Sequence, residues 1–409
     1  MSKVIHLGII GMGGFAGSHH DAVKRLEEQG ECRLICACDP NPAGFEDRIR
    51  EWDLPGRGVA IFDDYKDMLD ACRDRLDLVI IPTPVHLHAL MHRACVELGL
   101  PVYLEKPPTL DHAELDEMLV VEDRASKLTN VGFNFIIDSQ RQRLKRRILS
   151  GEFGVVRLVC FRGLWPRPVS YFQRNTWAGR LVLDGQLVLD SCMGNAMAHY
   201  VHNTLFWAGS EELFSWGEIS EVTAELYRAH DIQGMDTVFA RAKIERGPDV
   251  QMALSHACDG APQNPKWVVC DDAVIRYTTG RGYEIEWKDG RTETGEPDMR
   301  VGLCDNLLGY LAYLRGDVDR PLTRLIDSRP FVHCCDLVYV AAQKITTVPP
   351  AYVTRAGESV AINELGSIAD EFFRADLFPS EQGIPWAQSG GTASISDLPR
   401  LRDVVPSMI

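Results

Sequence analysis

Apolar residues in the first third of the chain recur in short runs, each followed by a segment with helical spacing. Val4–Ile10 predicts a strand, and Ala22, Val23 and Leu26 give the next segment the apolar stripe of a helix. Leu76–Ile81 is almost wholly apolar, as expected of a strand covered on both faces of a parallel sheet. The alternation predicts an α/β, doubly wound parallel sheet that binds ligands outside the carboxyl ends of its strands.

This first domain is predicted to span residues 1–133. Its six predicted strands are Val4–Ile10, Leu34–Cys38, Val59–Phe62, Leu76–Ile81, Val102–Leu104 and Thr129–Phe133. Near Asn134 the pattern changes to short strand-like segments separated by Gly, Pro, Asp and Asn, which predict an α+β domain with a mostly antiparallel sheet over 134–409. Helices are predicted near 195–207, 304–315 and 330–346. The tail after Pro349 is assigned only to a surface wrap or a partner contact.

Composition narrows the class of protein. The 409 residues suffice for two domains, each with its own core. A formal charge of -15 argues against nucleic acid or an anionic membrane as a partner, because both require a basic surface. The twelve cysteines are scattered, and the N-terminal residues lack the basic and apolar stretches of a secretion signal. We therefore expect reduced thiols and a cytoplasmic protein.

A glycine-rich segment after the first predicted strand indicates a dinucleotide site. Its residues Gly11, Gly13, Gly14, Phe15 and Ala16 fit the pattern G-x-G-x-x-A. One glycine permits the tight turn, another lets the backbone approach a pyrophosphate, and the small last residue lets the helix pack on the strand. The free N–H groups and the positive end of the helix dipole at the helix N-terminus then stabilise the negative charge of the phosphates. A structural turn is the alternative explanation.

Asp39 ends the second predicted strand, about twenty residues beyond the glycines, where an acid meets a ribose hydroxyl. No Lys or Arg immediately follows it. A carboxylate without a basic neighbour repels a 2′-phosphate, so NAD is predicted over NADP. Alternatively, Asp39 is only a turn residue before Pro40.

Lys106 stands at the end of the fifth predicted strand, and Pro107 and Pro108 follow it. Prolines fix the backbone and help to hold a long side chain in place. A lysine beside a cofactor can donate a hydrogen bond or a proton to a reacting oxygen. The alternative is an exposed lysine in a turn.

These segments occur together in the order and spacing of one family. The glycine turn, Asp39, Pro84 with His88, and Glu105-Lys106-Pro107 resemble the glucose–fructose oxidoreductase, inositol dehydrogenase and MocA family, over roughly residues 3–345. The resemblance implies a Rossmann domain, an open-faced β-sheet domain and a nicotinamide cofactor. It also implies hydride transfer at a secondary alcohol carbon of a sugar or cyclitol, and a homodimer or homotetramer assembled through the sheet face.

The resemblance also implies which residues hold the cofactor. They are Gly11, Gly13, Gly14, Phe15, Ala16, Asp39, Thr83, Pro84, His88, Glu105, Lys106 and Asn134.

Family members commonly carry Asp-x-x-x-His on the helix after the substrate loop, and here the matching residues are Asn195 and His199. Residues four apart share a helix face, so both can address one substrate. His199 is the candidate acid or base, while Asn195 can orient a hydroxyl but cannot stabilise an imidazolium by charge. His202 is a further candidate substrate contact. The alternative for His199 is a packed helix histidine with no catalytic task. A metal site of His199 with His202 lacks a third ligand, so no metal is expected.

A long loop over residues 162–185 interleaves aromatic residues with arginines. Tyr171 and Trp177 are the candidates for a sugar pocket, since apolar ring faces stack on sugars while guanidinium groups meet hydroxyls. Packing of the loop on its own domain, or a subunit contact, explains the same residues.

The sequence therefore favours an NAD-dependent oxidoreductase in which Lys106 polarises the reacting oxygen, His199 exchanges the proton and Asn195 positions the substrate. One alternative is hydrolysis or elimination through a transient oxidation by retained NAD. The other is a non-catalytic NAD-binding sensor on the same fold.

Overall fold

The computed structural model describes residues 3–297 and 302–409, which divide into two compact units. The first unit contains residues 3–109, 113–137 and 302–328, and the second contains 110–112, 138–297 and 329–409. The observed change at 137/138 lies close to the predicted boundary at 133/134. Residues 302–328, which the prediction assigned to the second domain, belong to the first unit instead.

The strands alternate with helices in the first third of the chain and then follow one another closely. They are Ile5–Ile10 (β1), Cys32–Cys38 (β2), Ala60–Phe62 (β3), Leu78–Ile81 (β4), Val102–Leu104 (β5), Asn130–Val131 (β6), Val156–Leu164 (β7), Val182–Leu183 (β8), Gln186–Leu187 (β9), Ile219–Arg228 (β10), Thr237–Ile244 (β11), Asp249–Ser255 (β12), Pro265–Cys270 (β13), Ala273–Thr278 (β14), Gly282–Trp287 (β15), Thr292–Gly295 (β16), Thr346–Thr347 (β17), Val353–Ala356 (β18), Ser359–Ile362 (β19) and Thr392–Ser394 (β20).

The α-helices range from single turns to fourteen residues. They are Ala16–Glu28 (α1), Glu46–Glu51 (α2), Tyr65–Cys72 (α3), His88–Glu97 (α4), His112–Glu122 (α5), Ser139–Leu149 (α6), Val169–Phe172 (α7), Ala198–Ala208 (α8), Leu303–Arg315 (α9), Arg329–Ala342 (α10), Leu365–Ala375 (α11) and Leu401–Val404 (α12). Among the described residues, no helix is both long and apolar enough to cross a membrane.

The first unit is built on a parallel sheet with strand order β3-β2-β1-β4-β5-β6. This is the strand order of dinucleotide-binding doubly wound folds. Every residue of β4 is buried, as its apolar run predicted. The predicted doubly wound sheet is thus confirmed.

The packing of helix α9 explains why a segment late in the chain belongs to the first unit. Its Leu307, Tyr310 and Leu311 are buried in the same core cluster as Val23 and Leu26 of α1. Burial of large apolar side chains stabilises this docking by roughly 1.5–3 kcal/mol each. The amphipathic pattern predicted the helix but did not indicate which of the two cores would bury it.

The second unit holds a larger sheet with strand order β16-β15-β14-β13-β7-β12-β11-β10-β17, and β20 also pairs with β10. Strands β7 and β12 pair in parallel, as do β10 and β17, and the other pairs are antiparallel. The predicted mostly antiparallel sheet is confirmed. Helix α8 packs against β7, and α10 packs against β10.

The tail forms a layer on this sheet rather than a loose surface wrap. Tyr227, Phe239 and Ala253 of the sheet share a core cluster with Phe372 and Trp386 of the tail. The resemblance implied that this sheet is open for assembly with another subunit. Because the tail of the same chain covers these sheet residues, this part of the sheet is not open to a partner. The oligomeric state stays a prediction.

The twelve cysteines, all within the described residues, carry free thiols, and eleven of them are buried. Burial raises the pKa of thiols such as Cys95 to about 12, which keeps them protonated and unreactive.

Candidate active site

The glycine turn adopts a backbone that only glycine accommodates easily. Gly11 has φ +125° and Gly14 has φ +54°, and a Cβ on Gly13 would lie 3.1 Å from Cζ of Phe45. The turn is fastened to β2, because the Gly11 N–H donates to the Cys38 carbonyl at 2.6 Å. Helix α1 begins directly afterwards at the buried Ala16. A turn with three glycines leading into a helix N-terminus fits a diphosphate.

Asp39 follows β2 and holds this turn in place. Its Oδ2 accepts a hydrogen bond from the Met12 N–H and its Oδ1 accepts one from the Asn41 N–H, both at 3.0 Å. Asp39 therefore stabilises the turn. Each carboxylate oxygen keeps a second lone pair, so Asp39 can also accept from ribose hydroxyls.

Glu105 follows β5 directly and is buried. Its Oε1 lies 2.8 Å from Nε2 of the buried His19, and its Oε2 accepts from the Lys106 N–H at 3.0 Å. A Cβ on Gly132 would lie 2.9 Å from Oε1, so a larger residue there would displace the Glu105 carboxylate. Burial favours the neutral acid, but the bond from His19 and the Lys106 charge outweigh it and lower the pKa of Glu105. The residue predicted to touch the cofactor thus fixes the backbone at Lys106.

His88 at the start of α4 ties together the segments after β4 and β5. Its Nε2 lies 2.8 Å from the Thr83 carbonyl and its Nδ1 lies 2.9 Å from the Pro107 carbonyl. Burial lowers the pKa of His88, against the effect of these carbonyls. His88 is 1% exposed, so its contribution to a cofactor site is indirect: it positions Thr83 and Pro107.

Asn134 is held by a polar cluster that the sequence did not reveal. The buried Tyr103 hydroxyl lies 3.2 Å from Asn134 Oδ1 and 2.9 Å from Asn306 Oδ1, and Asn130 Nδ2 donates to Asn306 Oδ1 at 3.0 Å. Asn306 belongs to α9, about 170 residues further along the chain. Its only sequence signal was an amide side chain within the helix predicted near 304–315.

Lys106 lies two residues beyond the end of β5 and is half-buried, while Pro107 and Pro108 after it are buried. Its backbone N–H is anchored by Glu105. The segment is thus braced on both sides, as the prolines predicted.

In the second unit, Asn195 and His199 do not lie on one continuous α-helix, contrary to the prediction. Asn195 belongs to a π-helical turn, Cys192–Ala196, and α8 begins only at Ala198. The Ser191 hydroxyl caps that turn by accepting from the Gly194 N–H at 2.9 Å. Such wide turns are frequent at functional sites. His199 is half-buried, whereas every other residue of α8 is buried.

His202, the further candidate for a substrate contact, is buried. It is 1% exposed, and its ring lies 4.9 Å from that of Trp216. Helix α8 is surrounded by protein, so the polar residue one turn after His199 is buried in packing. The substrate role of His202 stays a prediction.

The aromatic loop forms a stack of rings and guanidinium groups. Arg174 lies 3.8 Å from the ring centre of Tyr171 and 5.0 Å from that of Trp177, and Arg167 lies 4.5 Å from Tyr171. Burial and the neighbouring Asp190 raise the pKa of Tyr171. Tyr171 and Trp177 are both partly exposed.

Asp190 is a buried acid that the sequence prediction missed. Its Oδ1 accepts a hydrogen bond from Asn195 Nδ2 at 2.7 Å. The only signal in the sequence was an acid five residues before Asn195.

Asp111, His112 and Asp336 form a cluster whose potential metal-ligand atoms lie within 4.8 Å of one another. Asp336 Oδ2 accepts from both the backbone N–H of His112 at 2.8 Å and its ring Nδ1 at 2.7 Å. Burial raises the pKa of Asp336 to about 7, against the opposing effect of His112. A structural pair of Asp336 and His112 accounts for this arrangement.

Known proteins match the chain most clearly over its first unit. The model of an oxidoreductase family with an NAD-binding Rossmann fold matches residues 5–133. Inositol 2-dehydrogenase of Rhodococcus jostii is 40% identical over 160 residues, 39% of this chain and 41% of its own length. Myo-inositol 2-dehydrogenase of Thermotoga maritima is 25% identical over 248 residues, 59% of this chain and 66% of its own length. Both matches span less than two thirds of the relative.

A solved structure extends the likeness to most of the chain. The WlbA dehydrogenase of Bordetella pertussis, in complex with NADH and UDP-GlcNAcA, has a TM-score of 0.68 and 20% identity. The match covers 83% of this chain and 97% of that one. At this identity the likeness establishes the fold alone.

Proposed function

We propose that this chain transfers a hydride between a nicotinamide and a secondary alcohol or ketone carbon of a sugar or cyclitol, because the model of an oxidoreductase family with an NAD-binding Rossmann fold matches its residues 5–133. One observation carries the proposal. The glycine turn, Asp39 and Lys106 follow the carboxyl ends of β1, β2 and β5, which are strands of one parallel sheet. Those ends share one edge, where such folds bind dinucleotides.

The family is NAD-binding, which confirms the predicted dinucleotide. When bound, NAD supplies or takes up the hydride. The glycine turn and the N-terminus of α1 hold the diphosphate, and Asp39 accepts from the ribose hydroxyls. Its negative charge disfavours a 2′-phosphate, so NADP is the weaker ligand. Lys106, anchored by Glu105, donates a hydrogen bond to the reacting oxygen.

The second unit supplies the substrate groups. His199 takes or returns the hydroxyl proton, and Asn195 orients the substrate. Tyr171 and Trp177 stack on the apolar face of the ring. The inositol dehydrogenases and the complex with a nucleotide sugar support the substrate class, a polyhydroxylated ring.

The test is a panel of sugars and cyclitols assayed for NADH formation, together with calorimetry of NAD and NADP binding. We expect NAD to bind more tightly than NADP, and at least one polyol to reduce it. Product without net NADH, from enzyme that retains NAD, would favour the hydrolase or lyase alternative. Binding of NAD without turnover of any compound in the panel would favour the alternative of a non-catalytic NAD-binding sensor.

A further inference from the structure

The carboxylate of Asp190 is fixed on both of its oxygens. Asp190 is 3% exposed. Its Oδ1 accepts from Asn195 Nδ2 at 2.7 Å, and its Oδ2 accepts from the Gly179 N–H at 2.6 Å. The Arg174 guanidinium lies 4.0 Å from Oδ2. A carboxylate held in this way has one position and one orientation.

The Asp190 carboxylate determines which group of the Asn195 side-chain amide faces it. A carboxylate only accepts hydrogen bonds, so the amide group that meets Asp190 must be the NH2. The amide oxygen then points away from Asp190. If the side-chain amide of Asn195 were free to rotate by 180°, it could present either its NH2 donor or its oxygen acceptor to a substrate. The hydrogen bond to Asp190 leaves only the oxygen to face the substrate.

We propose that Asp190 is a positioning residue that locks Asn195 with its Oδ1 as the acceptor for a substrate hydroxyl. The inference rests on the proposed function and deepens it: the substrate must donate a hydrogen bond from a free hydroxyl at that point. The pairing with Asp190 also explains why Asn195 stands here in place of the aspartate of the Asp-x-x-x-His pattern. Aspartate at 195 would set two carboxylates 2.7 Å apart, and like charges at that distance force one of them to hold a proton.

Asp190 also connects Asn195 to the aromatic loop. Arg174, its ion-pair partner, stacks on Tyr171 and Trp177. The Gly179 N–H bond fastens the end of the same loop. One buried carboxylate thus positions both the amide and the ring faces proposed for the substrate.

The experiment exchanges the two side chains in the full-length protein. We expect D190N and N195D each to lower kcat/KM for the best polyol of the panel about 10- to 100-fold, with NAD affinity unchanged. The exchanged variant D190N/N195D again pairs one amide with one carboxylate, so it should recover most of that loss. D184N, the same change at an exposed position, is the matched control and should behave as wild type.

A second readout does not require turnover. N195D should lower the melting temperature more at pH 8 than at pH 5, because the pair can share a proton only at low pH, and D190N/N195D should abolish this difference. Full activity of D190N, or an exchanged variant no better than either single variant in both readouts, would overturn the proposal. If no polyol is turned over but the melting temperature is rescued, the proposed function fails while the Asp190–Asn195 pairing stands.

Discussion

Replacing Phe372 by alanine tests whether the tail is an integral layer of the second unit. Phe372 is fully buried on α11, edge-to-face with Phe239 of the sheet at a ring-centre distance of 5.4 Å, and 5.2 Å from Phe378. Truncating a buried phenylalanine costs about 3–5 kcal/mol, which includes the lost aromatic contacts. We expect F372A to lower the free energy of unfolding by about 3–5 kcal/mol.

The neighbouring Phe373 is the matched control. It lies on the same helix but is only partly buried, so F373A should cost about 1 kcal/mol. Urea unfolding of the full chain, followed by circular dichroism, gives the midpoints, and limited proteolysis reports whether the tail is released first. Equal costs for F372A and F373A would refute the packing of the tail on the sheet.

Two further predictions concern acidic groups. D39A removes an acceptor for ribose hydroxyls and the brace on Met12, so calorimetry should show NAD affinity reduced about tenfold or more, while the exposed-site control D63A binds as wild type. An unchanged affinity in D39A would remove Asp39 from the cofactor site. Asp336 has a pKa raised to about 7 from an ordinary 3.8, so the folded protein holds a proton that the unfolded chain has released, and its contribution to stability is lost as pH rises from about 4 to about 7. D336N should therefore make the melting temperature depend less on pH over this range than it does in the wild type. The same pH dependence in both proteins would contradict the raised pKa of Asp336.

Local patterns predicted the first unit well. The glycine turn, the all-apolar β4 and the prolines after Lys106 each specify their own backbone, so their positions follow from a few neighbouring residues. The resemblance added the pairing of Asn195 with His199, but it could not anticipate the π-helical turn that separates them.

What the sequence did not predict depends on contacts distant along the chain. Helix α11 has an amphipathic pattern, yet nothing near Phe372 indicates that its partner is Phe239 in the sheet. The burial of His202 is set by Trp216, and the orientation of Asn195 is set by Asp190. Tertiary packing decided each of these roles.

A double-mutant cycle on Lys106 and His199 tests the central claim, that both side chains serve one hydride-transfer reaction. K106M and H199A should each lower kcat at least about 100-fold with the best polyol, and the exposed-lysine control K66M should not. If both act in the same step, the double variant falls far less than the product of the two single losses. Full activity of K106M, or two losses that multiply exactly as independent sites would, contradicts the claim.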